Sequence, residues 1–375
     1  MKRRFNILSL LTLIAVIFAA CAAPASAPAD TAAESAGDAC ASVDQATLQL
    51  KWVAQAQFAG YYAAEAQGFY AEECLELTIN PGGPDIVPEQ VVAGGQADFG
   101  INFIPSLLSA REQGTNLVNI AQIFERSAMR EISWVETGIE SPADLSGKAV
   151  AVWFGGNEFE LLATLNKYEI DTDSDVELIQ QPFDMNLLLQ REVDAAAAMT
   201  YNELAQILEV INPETGELHQ LEELNVIDFN EEGTAMLQDG VFVTEDWLAD
   251  EANHDIAERF LRASFRGWMH CRDNPDQCVD AVLEQGPALP RGHQTWMMNE
   301  VNALIWPASG QIGVMDPDLF QQTADIALTF GVIENPASSD AYNTTFAEAA
   351  LAGMEGDSSG AGWTRAEIEL TEGGQ

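Results

Sequence analysis

From residue 48 to residue 244, short apolar runs that read as strands alternate with segments of helical period, which confines the chain to sheets flanked by helices. Strands are predicted over 48–53, 75–79, 97–101, 117–124, 132–135, 149–153, 176–180, 194–199, 226–229 and 241–244. Helices fall between them at 58–68, 89–94, 158–166 and 185–191, and the remainder, 256–330, reads as almost wholly helical. There is no tandem repeat. Instead one αβ unit reads as inserted within another, with crossings near 131–138 and 238–241. The expected division is a first lobe at 46–137, a second lobe at 138–238, and a mostly helical second part of the first lobe at 239–335. An extension, 336–375, is expected to pack on the first lobe or to be partly disordered. Roughly 330 residues suit two lobes of ordinary domain size, and two crossing strands make a hinge that a ligand touching both lobes would close.

The N-terminus specifies where such a domain works. Lys2, Arg3 and Arg4 precede an apolar run over 5–20 that ends in Ala19-Ala20-Cys21, the order of a bacterial secretion signal with a lipoprotein cleavage box. The reading is a signal peptide at 1–20 and lipidation, with palmitate among the acyl groups, on the thiol of Cys21. The rival, an uncleaved membrane anchor, needs about 20 apolar residues, more than this run offers. Residues 21–45, rich in Ala, Pro, Ser and Asp, read as a flexible tether. The mature domain is therefore expected on the extracytoplasmic side of the cell membrane, lipid-anchored. Removing 1–20 takes away three of the 16 Lys and Arg and none of the 59 Asp and Glu, leaving a balance of −46. Such a surface repels nucleic acid and anionic membrane, and a solvated acidic surface explains it more simply than a cationic partner does.

Five cysteines are present. With Cys21 lipidated, an even number remains, which in an oxidising compartment suggests disulfides. Cys271 and Cys278 bracket RDNPDQ, whose Asn274-Pro275 favours a turn, and Cys40 with Cys74 would clip the tether to the first lobe. A metal site is the alternative, but no His stands at ligand spacing beside Cys40 or Cys74, and His270 next to Cys271 is alone.

The ordered segments KWVAQAQFAGYYAAEAQGFYAEE, PGGPDIVPEQVVAGGQADFGI, AQIFERSAM, GIESPADLSGKAVAVWFGGNE, DAAAAMTYNE and DGVFVTEDWL together resemble the solute-binding lipoproteins of the thiamine-pyrimidine-precursor family. The resemblance implies a two-lobed α/β periplasmic-binding-protein fold of type II, monomeric and without cofactor, serving the permease and ATP-binding subunit of an ABC importer. It also implies a planar aromatic ligand: formylaminopyrimidine or hydroxymethylpyrimidine in one branch, riboflavin in another. A related branch comprises cytosolic pyrimidine synthases with a cysteine-rich motif, and no such motif occurs here.

Candidate ligand contacts follow from strand ends, where open αβ sheets bind ligands. A flat heterocycle gains most from aromatic faces and a few placed polar groups. The first strand ends in Trp52, Gln55, Gln57 and Phe58; Asn102 and Phe103 hold an equivalent place; Trp153, Asn157 and Glu158 surround the Gly155-Gly156 turn; Tyr201 and Glu203 follow the strand at 194–199. Each has a plainer reading: Trp52 and Phe58 as core, Asn157 as a helix cap. Where pyrimidine-binding members of the family frequently carry a histidine, this chain has Phe58, which favours a larger, three-ring ligand such as riboflavin. A hydrolytic enzyme would need a nucleophile beside a histidine, and His219, His254, His270 and His293 stand in no such motif, with His219 and His293 reading as surface residues. A periplasmic sensor would share the fold and differ in what it touches.

Overall fold

The computed structural model describes residues 40–375; the signal segment, Cys21 and the tether as far as residue 39 lie outside the described residues. Ten strands fall into two sheets. They are β1 (Asp44–Gln49), β2 (Leu75–Asn80), β3 (Phe99–Asn102), β4 (Leu117–Gln122), β5 (Met129–Trp134), β6 (Ala149–Val152), β7 (Glu177–Gln180), β8 (Ala195–Met199), β9 (Leu224–Asp228) and β10 (Gly240–Thr244). One sheet has the order β2-β1-β3-β10-β4 and the other β7-β6-β8-β5-β9. In the first sheet β1 pairs parallel with β2 and β3, while β10 enters antiparallel between β3 and β4. The second repeats the plan: β6 pairs parallel with β7 and β8, and β5 enters antiparallel between β8 and β9. The second sheet is built from consecutive strands, β5 to β9, while the first takes back β10 after them, as insertion of one αβ unit into another requires.

The chain crosses between lobes over 123–128 and 229–239. The first crossing lies upstream of the 131–138 expected from sequence, because β5 belongs to the second lobe, so the second lobe begins at residue 129 and not at 138. Every residue of β5 except Arg130 is buried, yet Arg130, Glu131 and Ser133 break its apolar pattern, which hides the start of the strand. The opening strand likewise begins at Asp44, inside the stretch expected as tether, since Ala46 and Leu48 already face the core. The two crossings are bonded to each other. The Asp239 carbonyl accepts from the backbone N–H groups of Ile123 and Phe124, both at 3.1 Å. The Gln238 side chain accepts from the Ala128 N–H at 2.9 Å and donates to Ser127 Oγ at 3.1 Å.

The helical remainder packs on the first sheet through the helix Glu251–Asp273, whose main neighbour is the helix Ala59–Ala66. Two glycines set that approach: a Cβ on Gly267 would lie 2.0 Å from the Gly60 carbonyl oxygen, and one on Gly60 would lie 2.1 Å from the Trp268 ring. Cys271 and Cys278 form a disulfide with an S–S distance of 2.05 Å, joining this helix to Pro275–Gln285. Cys40 and Cys74 are also disulfide-bonded. In the final segment the helix Thr345–Leu351 packs on Glu251–Asp273. The segment then reaches the second lobe as well as the first, because the Gly373 N–H donates to the Glu209 carbonyl at 2.9 Å and Leu370 packs beside the second lobe's core. No helix among the described residues is long and apolar enough to cross a membrane.

Candidate functional site

A slot of about 40 Å³ lies between the sheets, and its walls come from strand ends of both lobes. The first lobe supplies Lys51, Trp52, Gln55, Gln57 and Phe103; the second supplies Trp153, Asn157, Met199, Tyr201, Asn202 and Glu203. The parallel strands β1, β3, β6 and β8 all point their C-terminal ends at this gap, so the turns that follow them converge there. The structure brings eight of the eleven residues proposed from sequence, Trp52, Gln55, Gln57, Phe103, Trp153, Asn157, Tyr201 and Glu203, to one slot. The other three lie elsewhere. Phe58 is fully buried in the main core, because the short helical turn Ala56–Phe58 rotates its ring inward. Asn102 donates to Glu89 at 2.7 Å and accepts from the Phe103 N–H at 2.8 Å, lining a neighbouring cavity. Glu158 accepts from the Gly156 N–H at 2.7 Å and so folds the glycine turn. That turn needs glycine, since Gly156 has a φ of 117° and a Cβ there would meet Ser106 Oγ of the opposite lobe at 2.5 Å.

Polar groups in the slot form two hydrogen-bonded chains. Gln55 Nε2 donates to Gln57 Oε1 at 2.8 Å, and Gln57 Nε2 donates to the Asp239 carboxylate at 3.0 Å, which links the slot to the hinge. On the second lobe the Glu203 carboxylate accepts from the Met199 N–H at 3.0 Å and from Asn202 Nδ2 at 2.6 Å. Asn202 Oδ1 faces His293 Nε2 at 2.9 Å, and His293 Nδ1 meets the Glu209 carboxylate at 2.9 Å. His293 and His219 are therefore both buried, contrary to the surface positions expected from their polar flanks. His219 packs on Trp134 and bonds Glu223.

Lys51, Met199 and Asn202 are the wall residues that sequence reasoning missed, and Lys51 is the charged one. Its ammonium donates to Asn157 Oδ1 at 2.7 Å across the cleft and lies 3.4 Å from the centre of the Phe103 ring. Burial lowers its pKa to about 8, opposed by the charges of Asp239, Glu89 and Glu158. Burial raises Glu203 to about 7, opposed by its hydrogen bonds and by His293, and raises Asp239 to about 6, opposed by Lys51 and Gln57. A lysine in an alternating strand reads as solvent-facing; the signal available was its place between Leu50 and Trp52, at the point where β1 has ended. Two aromatic contacts complete the walls: Trp52 meets Phe183 of the second lobe edge-on at 5.2 Å, and Trp153 Nε1 donates to the Pro182 carbonyl at 2.8 Å.

The described residues contain no group of three or more His, Cys, Asp or Glu that could hold a metal ion. What the slot offers is ring faces, amides and a few ionisable groups, without a histidine beside a nucleophile. Its volume is far below the roughly 300–1,000 Å³ of ligand pockets, too small in this conformation for a ligand of several rings.

Two mixed sheets of the same strand order, paired crossings and a cleft at the strand ends define the two-lobed fold of solute-binding proteins. The alkanesulfonate-binding protein SsuA from Xanthomonas axonopodis pv. citri, solved bound to MOPS, shares it with a TM-score of 0.59 at 15% identity, covering 82% of this chain and 100% of that one. The chain belongs to the NMT1/THI5 like family, whose model matches residues 55–278. It is 26% identical to the riboflavin-binding protein RibY of Chloroflexus aurantiacus over 348 residues, 89% of this chain and 95% of that protein. It is 24% identical to the formylaminopyrimidine-binding protein of Halalkalibacterium halodurans over 247 residues, 64% of this chain and 71% of the other. The chain is accordingly a substrate-binding protein with small-molecule relatives.

Proposed function

We propose that this protein is the extracytoplasmic binding component of an ABC importer, that it captures a planar heteroaromatic vitamin, riboflavin ahead of the thiamine pyrimidine precursors, and that it delivers the ligand to a permease. The observation that carries the reading is the meeting of Trp52 and Phe103 from one lobe with Trp153 and Tyr201 from the other in a single slot. Four rings from both lobes give a flat guest stacking area in the closed state that neither lobe gives alone, and offset or edge contacts of this kind are worth about 0.5–1.5 kcal/mol beyond area burial. Gln55, Gln57 and Asn157 supply amides for ring carbonyls and nitrogens, and Glu203 supplies an acceptor for a ring or amino N–H.

Breadth of ring surface favours riboflavin over a single pyrimidine, and the match to RibY along nearly its whole length agrees with that order. Capture without turnover is the reading that relatives named as binding proteins support. Anchoring through Cys21 would keep the loaded protein near its permease. Mass spectrometry of the small molecule carried by protein purified from its own membrane fraction tests the assignment. A riboflavin mass is the expected result; formylaminopyrimidine or hydroxymethylpyrimidine would reverse the ranking, and a ligand without an aromatic ring would overturn it.

A further inference from the structure

Residues 365–375 leave the first lobe, touch the second and return. The run starts on the helix Arg291–Ile305 of the first lobe. There the Asn299 side chain accepts from the Ala366 N–H and donates to its carbonyl, both at 3.0 Å, and Arg365 pairs with the buried Glu300 carboxylate at 2.5 Å. The chain then crosses over. Leu370 packs against the second lobe's core cluster, which includes Trp134, Leu188 and Leu208, and the Gly373 N–H donates to the Glu209 carbonyl at 2.9 Å. One residue later it is back on the first lobe. Gly374 is buried, and a Cβ there would lie 2.6 Å from His293 Cβ, while a Cβ on Gly292 would lie 2.7 Å from the Gly374 carbonyl oxygen.

Consecutive glycines make this return possible. Gly373 and Gly374 have φ of 63° and 68°, left-handed values that glycine adopts without steric cost. The turn is closed by the Gly374 N–H to the Thr371 carbonyl at 2.9 Å and by Thr371 Oγ1 to the Gln375 carbonyl at 2.7 Å. The crossing itself is thinly supported. Ala366 and Ile368 border two cavities over the helix beneath, of about 510 and 360 Å³, and Glu367, Glu369, Thr371 and Glu372 are exposed. Both ends of the run are held by the first lobe, whereas its grip on the second comes from a backbone hydrogen bond and a leucine. Segments with few apolar contacts open locally at low cost. Glu209 joins this grip to another tie between the lobes, because its carboxylate meets His293 Nδ1 at 2.9 Å while its carbonyl takes Gly373.

We propose that residues 367–375 are a strap that fastens the second lobe to the first, and that the cleft opens when Leu370 and Gly373 leave the second lobe. The strap works whichever ligand the slot receives, so its test needs none and stands apart from the assignment of riboflavin.

The ligand-free mature protein is compared by small-angle scattering with a shortened chain ending at Ala366 and with the Leu370→Asp variant. Melting temperature is the folding control, and amide exchange over residues 365–375 reports whether the strap is attached. Loss of a backbone hydrogen bond and a partly buried leucine shifts such an equilibrium roughly tenfold, so the strap of the Leu370→Asp variant should exchange roughly tenfold faster than the parent's. Both altered proteins should have a larger radius of gyration than the parent, the shortened one in spite of its smaller mass. A folded shortened chain with no increase in radius would overturn the proposal, since the lobes would then stay shut without the strap. If the shortened chain does not fold, Leu370→Asp decides alone: faster exchange of the strap at an unchanged radius would show that it only covers the surface.

Discussion

Lys51 and Trp52 sit side by side just past the end of β1, and the proposed site uses them differently. Trp52 offers a ring face, and its removal should cost the stacking contribution and part of its buried area. Trp52→Ala is therefore expected to weaken riboflavin binding roughly tenfold with an unchanged melting temperature, measured by titration and calorimetry. Unchanged affinity would remove Trp52 from the site. The buried carboxyls give the second residue-scale expectation. Glu203 and Glu160 are raised to about 7 and Asp239 to about 6, each chiefly by burial. An acid whose native pKa exceeds its unfolded value holds more protons folded than unfolded between the two values, so the slope of stability against pH is negative there. The full contribution is present below the ordinary carboxylate range and is lost as pH rises through about 6 to 7. The melting temperature should accordingly be higher at pH 5 than at pH 8, and Glu160→Gln should flatten the difference; a melting temperature that rises over this interval would contradict the assignment.

Strands and helices were largely legible, and the reasons they were legible are local. Leu75, Leu77 and Ile79 alternate, Gly68 closes a helix, and Pro275 opens one; each signal lies within a few residues of what it specifies. What escaped depended on distant partners. The start of β5 was hidden because its polar residues are buried by strands far along the chain, β8 and β9. His293 was misread because it is buried by Glu209 and Asn202 of the other lobe, more than eighty residues away. Lys51 was passed over because nothing in its neighbours announces Asn157. The glycines of the packed helix pair are a case where local propensity points the wrong way. Alanine in a helix interior is ordinarily worth about 0.5–1 kcal/mol over glycine, yet at Gly60 it would press on the buried Trp268 ring. Gly60→Ala is expected to destabilise by about 1–3 kcal/mol, the range for overpacking, read as a lower urea midpoint; a raised midpoint would show that the helices can separate freely.

At the scale of the whole molecule, the structure is a closed clamp. Lys51–Asn157 bridges the mouth of the slot, His293 ties one lobe to Glu209 and Asn202 of the other, and Trp296 Nε1 donates to the Thr200 carbonyl at 3.0 Å. Beneath them the crossings share hydrogen bonds around Gln238 and Asp239, and the Asp239 carboxylate also holds Gln57 in the slot. The slot and the hinge are thus joined by hydrogen bonds through Gln57 and Asp239, and a ligand that adds contacts to both lobes shifts the balance toward closure. His293→Ala removes two of the ties between lobes, so the radius of gyration of the ligand-free protein, measured by small-angle scattering, should increase and should return toward the parent value on addition of riboflavin. An unchanged radius in the variant would mean that the ties do not set the closed state.

The stacking of a planar guest between the lobes is tested most directly by titrating riboflavin into the mature protein freed of its endogenous ligand and following flavin fluorescence. Saturable quenching at one flavin per protein is the expected result, because Trp52, Phe103, Trp153 and Tyr201 line the slot proposed to receive the isoalloxazine. Absence of quenching at any protein concentration, together with saturable heat from a ligand lacking an aromatic ring, would contradict it.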